Sequence, residues 1–432
     1  MRRFIVALFV SFLVVLGGCA TKTSHYDPIE RNAEQRNFSK TVDLVKKEQG
    51  GAYEKKDRVL YSLELGLAYH YASQYESSND RLARADEYMD QLFTKSLSNM
   101  GYSFLTNSTE LPYRGEPHEN IYLNTIKALN YSNMDDDQAV GVEVRKLDNK
   151  LGRMETRFKR MAEDYQESTL STLSDTSLMG EKTKFEAGEN KFHTSAFGRY
   201  LGYISYLSQN DLDDARIDLE KINEAFANQP GIYNFEAPDL PRNPVRDPDR
   251  ARVHAIALLG KGPKKVQETK RLTYKDIYVK WAYPVLKKRG TTIDRVSVRR
   301  DGKEVASLQK LEDVNEVSEA IFNVKKPIIM TYNFVRALSK ALATRKAAEE
   351  SGNQLAGVAA SIATQEFTEN ADLRVTRLLP GEVHVGHFTV PEGEPVQLKV
   401  AYYSNGKKVS DDTIQKTFEH GGLNVLETYN YN

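Results

Sequence analysis

The sequence predicts a mainly α half followed by an α+β half: an array of helical hairpins, then a small β-sheet domain with two inserted helices. Three observations carry this. Residues 37–229 place apolar side chains at helical spacing. Pro238, Pro241, Pro244 and Pro248 then crowd residues 230–250, a density that no helix survives and that predicts a Pro-rich connection. Over residues 251–432 the pattern alternates, and Asp301-Gly302 and Asn405-Gly406 mark tight turns.

The chain opens MRRFIVALFVSFLVVLGGCA. Arg2 and Arg3 precede an apolar run from Phe4 to Leu16, and Gly17 and Gly18 follow, so residues 1–18 have the layout of a secretory signal peptide. The run is short for a membrane span, which needs about 20 apolar residues. Leu16-Gly17-Gly18-Cys19 resembles the lipobox of bacterial lipoproteins. The resemblance implies that Cys19, the single cysteine of the sequence, carries a covalent lipid and becomes the new N-terminus. A thiolate is the soft nucleophile that such an alkylation needs. The alternative is a structural cysteine behind an uncleaved anchor. Ala20 rather than Asp in second place implies the outer membrane, again by resemblance. Residues 19–36 are polar with one proline, Pro28, and predict a lipidated, flexible tether.

Composition narrows the function classes. Basic and acidic residues number 60 each, and removal of Arg2 and Arg3 leaves the mature chain slightly acidic. That balance gives no electrostatic case for nucleic acid. Once Cys19 is lipidated no thiol remains, which excludes disulfides, thiolate metal sites and cysteine catalysis. The length suits two or three domains.

Residues 60–90, LYSLELGLAYHYASQYESSNDRLARADEYMD, resemble a tetratricopeptide repeat. Leu65, Gly66 and Tyr69 stand where the first helix of that repeat has them. Ser78 takes the small position of the second helix, and Leu82 and Ala85 follow at its spacing. Small residues let paired helices approach, and large ones fill the gap between successive pairs. The usual Trp is replaced by Ser62, and the late Pro is missing. A second unit spans 199–226, with Tyr206, Ala215 and Leu219 in register and Gly202 one place early. A third, degenerate unit spans 118–144, with Ala139 in the small position. The intervals between units exceed the usual period of about 34 residues, so the array contains insertions.

Val140, Val144, Leu147, Leu151, Met154, Phe158, Met161 and Tyr165 form an apolar heptad seam. They predict a long helix over 140–165, packing either on its neighbours or on a second subunit as a homo-oligomer contact. Gly152 weakens it slightly.

In the C-terminal half, residues 251–262 read as a strand ending in glycines, 276–286 as a strand, and 292–308 as a hairpin. Residues 328–350 read as a helix broken at Ser351-Gly352, and 354–367 as a second helix. Residues 381–409 return to strands, and GGLNVLETYNY closes the chain as another.

The order of parts resembles that of a family of bacterial envelope lipoproteins: a lipobox, a repeat-like helical half, then GKGPKK, a helical insert and ADLRVTRLLPGEVHV. The most specific stretch is Ala371-Asp372-Leu373-Arg374 with Leu379-Pro380. The resemblance brings no activity. It implies work in the cell envelope, because such proteins are grouped with lipoproteins that activate peptidoglycan synthases.

Chemical motifs are sparse. Asp372 and Arg374 could form a binding or catalytic pair; more simply, Asp372 caps a turn and Arg374 pairs with an acid. Gly260-Lys261-Gly262-Pro263 lacks the rest of a phosphate-cradling loop. His384 and His387 point to opposite faces of a strand, so a shared metal is not expected. Asp135-Asp136-Asp137 lacks an EF-hand's Gly and Glu. Trp281 and the 24 tyrosines could stack on sugars or fill the core.

The expectation is a non-enzymatic, periplasm-facing lipoprotein of the outer membrane, with no cofactor besides its lipid, that binds envelope proteins. By resemblance to tetratricopeptide repeats, His70, Tyr71, Asn124, Tyr131 and Tyr200 would line a concave partner surface. A glycan binder using aromatics of the β half is the alternative, and an envelope enzyme around Asp372 the third reading.

Overall fold

The computed structural model describes residues 21–95, 106–172, 185–274, 277–350, 362, 365–366 and 369–432. The expected signal segment, Cys19 and most of the helix expected at 354–367 lie outside them.

The chain combines helices with a seven-stranded sheet. The first helices, α1 (Tyr26–Glu34) and α2 (Phe38–Lys47), fall partly where a tether was expected. Tyr26, Ile29 and Ala33 of α1 are buried at helical spacing, so this stretch belongs to the body of the protein. Three antiparallel hairpins follow: α3 (Arg58–Tyr71) with α4 (Tyr75–Thr94), α5 (Pro117–Asn133) with α6 (Asp137–Gly152), and, after α7 (Met154–Thr172), α8 (Ala196–Ser208) with α9 (Leu212–Asn228).

The hairpins share one turn. Ser73, Asp135 and Asn210 adopt φ of 58°, 57° and 57°. In each case the next amide reaches back to a tyrosine carbonyl: Gln74 to Tyr69, Asp136 to Tyr131, and Asp211 to Tyr206. That is the helix-ending geometry in which a left-handed residue satisfies carbonyls left open by the last turn. Asp136 and Asp211 then cap α6 and α9 through the amides of Ala139 and Asp214. Register counted from the turns places Val140, not Ala139, opposite Ser78 and Ala215.

Close approach within α3–α4 depends on Gly66. A Cβ there would lie 2.7 Å from the Leu82 side chain, and Ser78 Oγ donates to Gly66 O at 2.8 Å. The heptad seam is not one helix, because α6 ends at Gly152 and α7 begins at Met154. Val140, Val144, Leu147, Met154 and Phe158 are buried inside the chain. These five residues of the seam therefore belong to the chain's own core.

The sheet contains β1 (Arg250–Leu259), β4 (Arg295–Arg300), β5 (Lys303–Asp313), β6 (Glu382–Pro391), β7 (Pro395–Ser404), β8 (Lys407–Thr417) and β9 (Val425–Asn430). Their order is β8-β7-β4-β5-β6-β1-β9. β1 pairs with β9 in parallel, and the other pairs are antiparallel. β2 (Lys264–Tyr274) and β3 (Ile277–Lys287) form a separate hairpin. Asp301-Gly302 and Asn405-Gly406 each place two positive φ values in succession, as a tight antiparallel turn requires.

The helix expected at 328–350 starts earlier, as α10 (Val314–Glu350), with Pro327 inside it. Pro327 has no amide to donate within the helix, and nearby Val324 O accepts the Gly188 amide at 2.7 Å.

Strand β1 explains how the halves join. Ala251, Val253, Ala255, Ala257 and Leu259 point into a core with Val296, Val298, Val400 and Tyr402. Ile256 and Leu258 point the other way, into a core shared with α3, α5, α8 and α10. Alternate residues thus serve two cores, which is why AIALL is apolar throughout.

Candidate functional site

The inner face of the hairpins is occupied by the chain itself. An extended stretch, residues 369–381, runs between α10 and β6 and crosses the helices on the way. Glu64 lies in α3, fully buried in a helix that is otherwise apolar nearly all round. Its Oε1 accepts the Arg377 amide at 2.7 Å. Glu119, from the Glu116–Glu119 capping box that opens α5, accepts the Thr376 amide at 2.6 Å. Tyr71 and Tyr431 both donate to Leu378 O. The Gly262 amide donates to Leu379 O at 2.7 Å. A Cβ on Gly262 would fall 3.0 Å from that same carbonyl and from Leu379 Cβ, so glycine allows the two backbones to meet. The arrangement reads main-chain groups, as peptide-binding grooves do.

Charge accompanies the clamp. Arg374 binds Asp372 through Nε at 2.9 Å and Nη2 at 2.7 Å, Asp57 through Nη1 at 2.9 Å, and the Ser108 carbonyl at 3.0 Å. The Asp372 side chain also accepts the Arg374 amide at 3.0 Å. Burial disfavours charge on Asp372, yet the Arg374 guanidinium outweighs it and holds that carboxyl below its ordinary value. Glu116 meets Lys265 and Lys325. Burial again opposes its charge, and the two ammonium groups hold it far down. Glu369 joins Arg336 and Lys340, each at 2.8 Å. Burial, then the neighbouring Glu116, pushes Glu119 up to about 7. Burial, opposed by Arg377, pushes Glu64 up to about 8.

Four of the five residues expected to line an open surface are buried inside the chain. His70 bonds Asn130 Oδ1 at 2.7 Å and lies 2.8 Å from Glu427 Oε1, off the ring N–H direction. Tyr71 packs among Phe38, Tyr429 and Tyr431. Asn124 bridges Glu143 and Lys150, at 2.6 Å each. Tyr200 OH meets His254 Nδ1 at 3.1 Å. Tyr131 is half-buried. The β half returns over His70, Tyr71 and Tyr200, through Glu427, Tyr429, Tyr431 and His254, whereas Asn124 meets its partners on α6.

Sequence reasoning missed the buried acids, above all Glu312. That carboxylate is fully buried and accepts from Tyr122 and Tyr233 hydroxyls at 2.7 Å, the Ser195 hydroxyl at 2.8 Å and the Phe197 amide at 3.1 Å. Glu64, alone among apolar neighbours in LELGLAY, was the one legible signal. Lys261 pairs with Glu34, so the GKGP loop holds α1 and the 369–381 stretch. His384 binds Glu382 at 2.8 Å. Among the described residues no group of three or more His, Cys, Asp or Glu side chains could hold a metal, and no helix is long and apolar enough to cross a membrane.

Open concavities lie elsewhere. A groove of about 600 Å³ runs between α9 and residues 237–243. A smaller cleft of about 270 Å³ sits beside it, near the start of β1. Compared with protein-family profiles, curated proteins and solved structures, the chain matches none of them.

Proposed function

We propose that this chain is an outer-membrane-anchored, periplasm-facing lipoprotein that works without catalysis, by holding a segment of another envelope protein near the membrane. The observation that carries this reading is the groove along α9. Leu207, Leu212, Ile222 and Leu240 contribute apolar side chains to it, and Leu212 is 47% exposed. Asp213, Arg216, Asp239 and Arg242 bring both signs of charge. An apolar floor with a mixed-charge rim suits a polypeptide segment that carries both kinds of side chain.

The alternative, a glycan binder, draws less support. Trp281 of the β half packs edge-on against Phe334 at 5.0 Å, and Arg295 covers Tyr403 at 5.0 Å. An enzyme around Asp372 also draws little, because Asp372 and Asp57 are both tied to Arg374 and hold the 369–381 stretch. The shared turn of the three hairpins favours kinship with tetratricopeptide repeats, with the usual binding face given over to the chain's own backbone.

The anchor fits the same reading. Thr21 Oγ1 accepts the Leu373 amide at 3.1 Å, so the body begins two residues after Cys19. Two residues span at most about 7 Å. A lipid on Cys19 would hold the body directly on the bilayer and concentrate it near membrane-bound partners.

A photo-crosslinking residue at Leu212, with one at exposed Val409 as control, tests this in intact cells. Position 212 should capture one defined envelope polypeptide, lost with Leu219→Glu and reduced with Cys19→Ser. The same products from both positions, or co-sedimentation of the full chain with purified sacculi in place of any protein adduct, would reject it.

A further inference from the structure

The cleft of about 270 Å³ joins the C-terminal end of α8, the Pro-rich connection, β1 and the turn at 419–424. Ile204, Pro244 and Val245 form an apolar wall, and Arg252, His254 and His420 a polar one. Arg252 is half-buried. One of its bonds goes to the Asn243 carbonyl. Its Nε is buried without a partner. Among the described residues no carboxylate lines the cleft.

Several arginines removed from water meet acids: Arg199 has Asp148 and Asp218, Arg289 has Glu30, and buried Arg374 has Asp57 and Asp372. Half-buried Arg58 and Arg250 meet the neutral oxygens of Gln91 and Thr389. A guanidinium removed from water gains most from an acid. Among the described residues Arg252 has one neutral carbonyl and no acid, and its Nε has no partner.

The surroundings are also rigid. Asn424 Nδ2 donates to the carbonyls of Arg252, Glu419 and Gly422 at 3.0, 2.8 and 3.1 Å, and its Oδ1 accepts the Glu419 amide at 3.0 Å. The turn is thereby fixed to β1. His420 Nδ1 donates to Arg250 O at 2.9 Å, which sets its tautomer. Burial, then the charges of Arg252 and His387, holds His254 down at about 3, so it is neutral. Among the described residues Arg252 is the one arginine or lysine that lines the cleft.

We propose that this cleft binds a small organic carboxylate, with its charge on Arg252 and its apolar body against Ile204, Pro244 and Val245. A single cation matches a monoanion; a phosphate dianion would leave charge uncompensated in a partly apolar site. The volume suits one amino-acid residue. The shared chemistry is a terminal carboxylate beside an apolar side chain, from a free acid or from the end of a peptide.

Calorimetric titration of the full chain in detergent tests this, with N-acetyl-leucine, its amide, inorganic phosphate and a peptide ending in leucine. The acid should bind at least about ten-fold more tightly than the amide, because only the acid forms the charge-assisted bidentate pair. Arg252→Gln should lose a similar factor, Arg252→Lys less, with melting temperatures checking that both variants fold. Tighter binding of the peptide than of the free acid would identify a peptide end as the source, and equal binding a free acid. Equal affinity for acid and amide, absence of acid binding, or a preference for phosphate would each overturn the proposal. The acid–amide comparison needs no variant and stands if Arg252→Gln fails to fold.

Discussion

Glu64 shows how a single buried acid serves this fold. It is fully buried, accepts one backbone amide, and is pushed up to about 8 by burial despite Arg377. Glu119, at about 7, behaves alike. Both groups hold protons more tightly in the folded chain than in the unfolded one. Their contribution is complete below the ordinary carboxylate value of 4.5 and is lost as pH rises through about 7 to 8. The melting temperature should therefore fall between roughly pH 5 and pH 9. Glu64→Gln should flatten that decline, since Gln keeps an oxygen for the Arg377 amide and carries no charge to desolvate. Melting curves for both proteins at a series of pH values make the comparison. An unchanged slope would mean that Glu64 is ionised in the fold.

At the scale of elements, the hairpin α3–α4 rests on the contact of Gly66 with Leu82. Gly66→Ala improves helix propensity by about 1 kcal/mol, but its Cβ overpacks a filled gap at a cost of about 1–3 kcal/mol. Net destabilisation is expected in urea titrations. On a Leu82→Ala background the substitution should become neutral or stabilising, because the two sites share one space. The hairpins were legible in sequence because their turns, caps and apolar spacing are local. Strand β2 was missed because its face reads KKVQETKRLTY, charged and alternating only weakly. Helix α10 begins at Val314, well before residue 328, and runs through Pro327. Helix α1 was hidden by its polar residues, although Tyr26, Ile29 and Ala33 keep a helical face.

For the whole molecule the consequence is a core shared between the helical and the β-rich halves. The core that contains Leu65, Leu129 and Tyr200 also contains Ile256, Val383 and Val425. Glu312 on β5 is satisfied by Tyr122, Ser195 and Tyr233 of the helical half. Residues 251–432 expressed alone would expose one sheet face and strand that carboxylate without its partners. The fragment is expected to lack cooperative thermal unfolding and dispersed amide resonances, and to regain both when mixed with residues 19–250. A fragment that unfolds cooperatively by itself would show that the shared core is dispensable.

By itself the sequence determined what depends on neighbours along the chain: the helical hairpins with their capped turns, the Asp-Gly and Asn-Gly reversals, and a β-rich second half. Only the tertiary structure decided which of those residues meet solvent. His70, Tyr71 and Tyr200 stand in the register of a binding face, yet the returning β half buries them. Asp372 and Arg374 resembled a reactive pair, yet Asp57, more than 300 positions earlier, gives Arg374 a second carboxylate partner. Spacing within a helix fixes which side chains share a face, because the backbone period is local. What covers that face is settled by contacts between segments hundreds of residues apart, and no local pattern encodes them.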